Sequence, residues 1–253
     1  MVARGGTAVN DSAVAALVDA IDAELRGRGS AERAVKERAY LKSEIEHYGT
    51  NVPAVRSIVR GVTRRHPDLD NDSLIDLASA LWGVPVHERR LAAAILLSLH
   101  TDRLSAGDLT YVERLLRESR TWALVDTLAT SVVAPIVERH PQAAATLDRW
   151  ASDDDFWIRR SALLAELPAL RRGDGDFDRF ARHAQAMLTE REFFIRKAIG
   201  WVLRDTARRR PELVFDWLLP RAAEASGVTI REAVKPLDAD QRAAILSAHR
   251  RAG

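Results

Sequence analysis

The feature that most constrains this chain is a motif that recurs at the spacing of a helical pair. Phe156-Trp157-Ile158-Arg159-Arg160-Ser161-Ala162 matches Phe193-Phe194-Ile195-Arg196-Lys197-Ala198-Ile199 at an offset of 37 residues. Ile230-Arg231-Glu232-Ala233 matches Ile195-Arg196-Lys197-Ala198 at an offset of 35. Glu88-Arg89-Arg90-Leu91-Ala92 precedes Ile158-Arg159-Arg160-Ser161-Ala162 by 70, two such periods. Periods in this range mark repeats of two helices, each repeat too small to bury its own apolar face. Stacking buries those faces, so the expected fold is an all-α helical-repeat solenoid. Equivalent helices line one surface of such a stack. Here that surface would carry Arg89, Arg90, Arg159, Arg160, Arg196, Lys197 and Arg231.

The clearest single element runs from Phe193 to Asp205. Thr189 and Glu192 stand three apart before it, the spacing of a capping box. Apolar residues at 194, 195, 198, 199, 202 and 203 form one wide helical stripe. Arg196, Lys197, Gly200, Trp201 and Arg204 fall outside that stripe, so the helix would present cations and an indole beside a glycine.

The remaining chain reads the same way. Residues 1–10 are expected to be disordered. Val14, Leu17, Val18, Ile21 and Leu25 define a helix from Ser12 to about Arg28. A second helix is expected from Ala31 to about Glu46. Asn51 is a candidate cap for a third helix, with Pro53 in its first turn. Further helices are expected near 71–83, 86–101, 105–117, 120–131, 133–139, 142–151, 155–167, 175–188, 190–209, 211–223 and 238–250. No segment alternates with period two, so no strand is expected. Arg171 to Asp176 is the most flexible internal loop. Its aspartates lack the spaced ligand set of a calcium loop and read as a solvated turn.

Composition narrows the chemistry. Lys+Arg number 38 against 36 Asp+Glu, a net charge of +2, which by itself argues for no partner. Between Phe156 and Arg210, however, 13 cations face 7 anions, the local excess that a nucleic-acid groove needs. Cysteine is absent, which excludes disulfides and thiolate metal sites and fits a reducing cytoplasm. No apolar run is long enough to span a membrane, and Met1 to Asn10 does not read as a signal peptide. There is no Gly-rich phosphate loop and no nucleophile elbow. His87, His100 and His140 have no partners at metal-ligand spacing. Neither metal nor cofactor is expected.

Trp122, Trp157 and Trp201 are the aromatic candidates. Trp122 and Asp126 are four apart on an expected helix and so share a face. The alternative is a core Trp122 with Asp126 on the surface.

Five stretches in order resemble the DNA alkylation repair family, the alkylpurine DNA glycosylases of the AlkD type. They are Tyr40-Leu41-Lys42-Ser43 with Tyr48 to Arg56; Trp82 with His87-Glu88-Arg89-Arg90; Trp122-Ala123-Leu124-Val125-Asp126; Phe156 to Ala162; and Phe193 to Trp201. Together they span about Arg33 to Pro236. Two positions depart from the family pattern: Ala123-Leu124 stands where Asp-Thr is usual, and Tyr48 where an apolar residue is usual. The resemblance implies a HEAT-like repeat stack with a basic concave face, acting as a monomer on duplex DNA that carries alkylated bases. It implies excision of cationic 3-methyladenine and 7-methylguanine without a deep base pocket. By motif match Trp122 and Trp201 would hold the sugar and Asp126 would be the catalytic carboxylate. Arg160 would contact phosphates near the lesion, with Arg159 one position away as the alternative. Lys42, Arg56, Arg89, Arg90, Arg159, Arg196, Lys197 and Arg204 complete the implied DNA-binding set. The rival readings are a non-catalytic binder of branched or damaged DNA on the same fold, and a protein-interaction scaffold.

Overall fold

The computed structural model describes residues 11–251, and the expectation for residues 1–10 lies outside them. In chain order the helices are α1 (Asp11–Gly27), α2 (Ala31–Leu41), α3 (Val52–Arg65), α4 (Asn71–Trp82), α5 (His87–Leu99), α6 (Leu109–Ser119), α7 (Trp122–Leu128), α8 (Ala134–Arg139), α9 (Ala144–Trp150), α10 (Phe156–Ala165), α11 (Leu167–Arg172), α12 (Phe177–Ala186), α13 (Phe193–Ala207), α14 (Pro211–Leu218), α15 (Gly227–Ala233) and α16 (Ala239–Arg250). The only extended pairing among the described residues is an isolated bridge between Glu46 and Val86. The fold is all-α, as the repeat pattern requires. The helices pack as two compact units, which among the described residues are 11–108 with 119–128, and 109–118 with 129–251.

In the first unit, α1 buries Val14, Leu17, Val18, Ile21 and Leu25, the spacing read from sequence. Asn51 caps α3 by accepting from Ala54 N–H at 2.9 Å. Val55, Ile58, Val59 and Val62 turn that helix inward, which leaves its arginines on the outer side. Helix α2 ends at Leu41 rather than near Glu46. Lys42 takes the left-handed conformation (φ 50°), and the chain then runs extended. A tertiary demand overrides the helical pattern here. Glu88, fully buried, accepts the backbone N–H groups of Tyr48 at 2.9 Å, Gly49 at 2.6 Å and Thr50 at 3.2 Å. A buried carboxylate needs such compensation, and an extended segment offers its amides where a helix would not. Gly49 sits at φ 78°, and a Cβ there would collide with the Ser30 carbonyl oxygen.

In the second unit the repeats are joined by polar bonds whose sequence separation is close to the motif period. Arg171 donates to Asp205 across 34 residues, Arg172 to Glu138 across 34, Lys197 to Glu232 across 35 and Arg117 to Asp153 across 36. His183 and Asp148 pair across 35. Helices α13 and α15 touch most closely at Gly200, where a Cβ would meet Glu232 Cβ at 2.9 Å and Thr229 Cα at 3.1 Å. Gly200 is therefore buried between helices, and not part of an open face beside Trp201 as its position outside the apolar stripe suggests.

Three further boundaries differ from the sequence reading. Glu192 itself caps α13, accepting from Phe194 N–H at 3.1 Å, so Thr189 takes no part in a capping box. The two helices expected at 120–131 and 133–139 are joined by a π-turn over Ala129–Val133. Pro135 lacks the N–H for residue 131 and crowds that carbonyl, and the widened turn takes up the mismatch. The expected loop at 171–176 is structured: α11 runs to Arg172, Gly173 and Gly175 adopt positive φ, and Asp176 caps α12. Helix α11 is too short for a helical period to show in sequence, and α15 shows there only through the repeat match at 230–233.

Gly49→Ala tests the Glu88 arrangement. Positive φ alone costs about 1–2 kcal/mol for a residue with a Cβ, and the clash with Ser30 adds to it. A drop in the urea midpoint larger than that of a surface Gly27→Ala control is expected.

Candidate nucleic-acid interface

Helix α7 carries the aromatic–carboxylate pair. Arg120, left-handed at φ 49°, breaks the chain from α6, and Leu124, Val125 and Leu128 then anchor α7 by burial. That rotation leaves Trp122 and Asp126 half-buried, one turn apart on the same face. Trp122 does not vanish into the core. Its ring meets Tyr40, at the end of α2, edge-on at 5.7 Å. Tyr40 is 73 % exposed, an unusual state for a large aromatic held against an indole. Sequence reasoning passed over Tyr40 as a site residue, although it opens the first of the matched stretches.

In the second unit Trp201 is half-buried, and its Nε1–H donates to Asp205 at 3.1 Å. Asp205, itself buried, also accepts from Arg171 at 2.9 and 2.6 Å and from Arg204 at 3.1 Å. Burial pushes the Asp205 carboxyl up, but the bonds from Arg171 and Arg204 outweigh it and hold the group below the usual carboxylate range. Glu232 accepts from Lys197 at 2.8 Å and Arg204 at 2.6 Å, with Lys235 at 3.0 Å. The Lys197 bond leads in pulling its pKa down to about 2. Trp157 is a core residue, packed on Phe156 at 4.5 Å and Phe194 at 4.8 Å.

Most of the motif cations are engaged within their own units. Buried Arg89 pairs with Asp22 at 3.1 Å and donates to the Ala80 and Leu81 carbonyls. Arg90 donates to the Trp82 carbonyl and lies over its ring at 5.2 Å. Arg159 binds Glu190 through two nitrogens, at 3.0 and 2.8 Å, and also the Asp153 and Asp154 carbonyls. Arg196 donates to the Glu190 carbonyl at 2.7 Å. Arg160 is only 3 % exposed; its guanidinium donates to the Phe194 carbonyl and faces that residue's ring. Arg231 and Lys42 are exposed. Arg56 lies in a shallow groove on α3 with Arg60 and Arg64.

Among the described residues one trio has the composition of a metal site: Glu37, His47 and Glu88, with ligand atoms within 4.8 Å of one another. Both Glu88 oxygens already accept backbone N–H groups, and Glu37 pairs with Arg33 at 2.6 Å. Those commitments leave a cation little to bind.

Comparison with known proteins agrees with this fold. The family described as DNA alkylation repair enzyme matches residues 21–237. No curated protein matches the sequence. Among solved structures, a predicted DNA alkylation repair enzyme from Enterococcus faecalis superposes with a TM-score of 0.76 at 23 % identity, covering 84 % of this chain and 98 % of its own. AlkD2 from Streptococcus mutans superposes with a TM-score of 0.59 at 18 % identity, covering 83 % of this chain and all of its own.

The Glu232 cluster carries a pH signature. A depressed carboxyl contributes stability that is present above its unfolded pKa of about 4.3 and is lost as pH falls through the folded value. Wild type is expected to exceed Glu232→Gln in urea midpoint at pH 7, with the gap closing as pH falls from about 4.5 toward 2. A gap that stays constant with pH would show that Glu232 is not held as described.

Proposed function

The chain belongs to the DNA alkylation repair enzyme family, and on that premise we propose that it is a DNA glycosylase that hydrolyses the N-glycosidic bond of cationic N-alkylated purines such as 3-methyladenine and 7-methylguanine. The observation that carries the reading is α7, where an indole and a carboxylate share one half-buried face one helical turn apart.

Such a nucleoside needs no acid to activate its leaving group, because the alkylated purine already bears the positive charge. When the bond from the sugar C1′ breaks, its electron pair neutralises the base and positive charge builds on the sugar. A fixed carboxylate beside that carbon stabilises the developing charge. It also orients a water whose oxygen adds to C1′ while its proton passes to solvent. Asp126 takes this role. The Trp122 face offers cation–π attraction to the same charge, about 0.5–2 kcal/mol. Tyr40, braced against Trp122, fixes the indole's orientation. The family resemblance also gives Trp201, in the second unit, an aromatic role toward DNA. Its own Nε1–H is tied to Asp205, which fixes the ring. Arg160 makes a phosphate contact by swinging off the Phe194 carbonyl, or else holds that carbonyl and positions the start of α13. No cofactor or metal takes part, and the protein acts as a monomer.

Incubating the protein with methylated duplex DNA and identifying the released bases tests the reading directly. Asp126→Asn is expected to keep DNA affinity and to slow excision about 100- to 1000-fold, the usual cost of one preorganised electrostatic group. Neutral lesions such as 1,N6-ethenoadenine or hypoxanthine are expected to remain in the duplex. Their release at a rate comparable to 7-methylguanine would require an acid catalyst and would overturn this mechanism.

Arg160→Ala separates its two roles. A phosphate contact predicts weaker binding to damaged and undamaged duplex alike, with the salt slope reduced by about one unit. A positioning role predicts a lower melting temperature and an unchanged slope.

A further inference from the structure

Helix α3 presents an open row of cations. Arg56, Arg60 and Arg64 are spaced by four, so all three lie on one face, the last two exposed. At about 1.5 Å rise per residue the row is roughly 12 Å long. With Ser57, Thr63 and His100 it lines a shallow groove whose walls hold no carboxylate. The helix itself contains no acidic residue. Among the described residues none of the three arginines is ion-paired; the one bond they make is from Arg64 Nε to the Arg60 carbonyl at 3.3 Å. The contrast with the second unit is direct. Its cationic groove, with Arg204, Arg208 and Lys235, is built over Asp205 and Glu232, which hold those cations in ion pairs.

We propose that Arg56, Arg60 and Arg64 of α3 grip the phosphodiester backbone of duplex DNA without regard to sequence or lesion, as the main electrostatic anchor of the protein. This rests on the reading of the chain as DNA-acting, and extends the one α3 residue that the family resemblance implies, Arg56, to a row outside the repeat motif. An unpaired guanidinium reaches a phosphate through two parallel N–H bonds with no internal bond to break. Of the motif cations, Arg89, Arg90, Arg159, Arg160, Arg196 and Lys197 must first give up a carboxylate or carbonyl, and Arg231 is the exposed exception. The Ser57 and Thr63 hydroxyls are further donors of the kind that fix register on a strand.

The test is the salt dependence of binding to undamaged duplex DNA. Removing one arginine–phosphate bond should reduce the slope of log K against log salt by about 0.9. Arg60→Gln is therefore expected to reduce it by about one, and Arg56→Gln/Arg60→Gln/Arg64→Gln by about two to three. Lys36→Gln, an exposed cation already paired with Glu32 at 2.6 Å, should leave it unchanged. Melting temperatures confirm that the variants remain folded. A triple variant with the wild-type slope and affinity overturns the proposal, as does an equal reduction from Lys36→Gln or the absence of wild-type binding to DNA. Base release from methylated DNA by the wild type is scored separately. A reduced slope without base release sinks the glycosylase reading and leaves this one standing, and base release with an unchanged slope does the reverse.

Discussion

A two-helix repeat cannot bury its own apolar face, and everything else in this protein follows from how one repeat is fastened to the next. Apolar packing supplies the attraction but is non-directional. Register comes from polar bonds that reach one repeat along the chain. Arg171–Asp205, Lys197–Glu232 and His183–Asp148 span 34 or 35 residues in the second unit. In the first unit Arg103 reaches the Leu69 carbonyl across 34. Most of these pairs are half-buried or better, where a charge needs its partner and a slipped register would strand it.

That role changes the meaning of the recurring arginines. Side chains that recur at the repeat period are those that meet equivalent surroundings in each repeat, and the commonest such surrounding is the neighbouring repeat. Arg160 and Lys197 occupy equivalent motif positions, and both bond forward, to the Phe194 carbonyl and to Glu232. The motif therefore reads first as a stacking device. Among the described residues, the α3 arginines, outside the period, are committed to no carboxylate.

The fold was legible because its signals are local and repeated: apolar spacing on α1, α3 and α13, the Asn51 cap, and the motif period. What escaped was set by distant partners. Nothing between Lys42 and Thr50 announces that a buried Glu88 will claim three of its amides and end α2 early. Gly200 looked solvent-facing because the repeat match at 230–233 announces a helix but not its close approach to Gly200. Trp122 and Asp126 were legible as a pair because both lie on one helix. The Tyr40 contact was not, since it joins helices far apart in sequence. The α3 row had a signal, arginines at i, i+4 and i+8 in a helix with no acid, but it lay outside the repeat that drew the reading.

The same spacing occurs twice, and structure separates the two. Trp201 and Asp205 are also four apart on a helix, so sequence alone offers two indole–carboxylate pairs. In the second pair the indole N–H itself donates to the carboxylate, two arginines complete its shell, and the group is buried. A carboxylate whose charge is already compensated by two guanidiniums has little field left for a developing cation, and the same bonds hold its pKa below the usual carboxylate range. Asp205 is thus suited to fixing Trp201 and joining α11 to α13. Asp126, half-buried on α7 one turn from an indole that meets an exposed tyrosine, is the carboxylate to which the proposed chemistry is assigned.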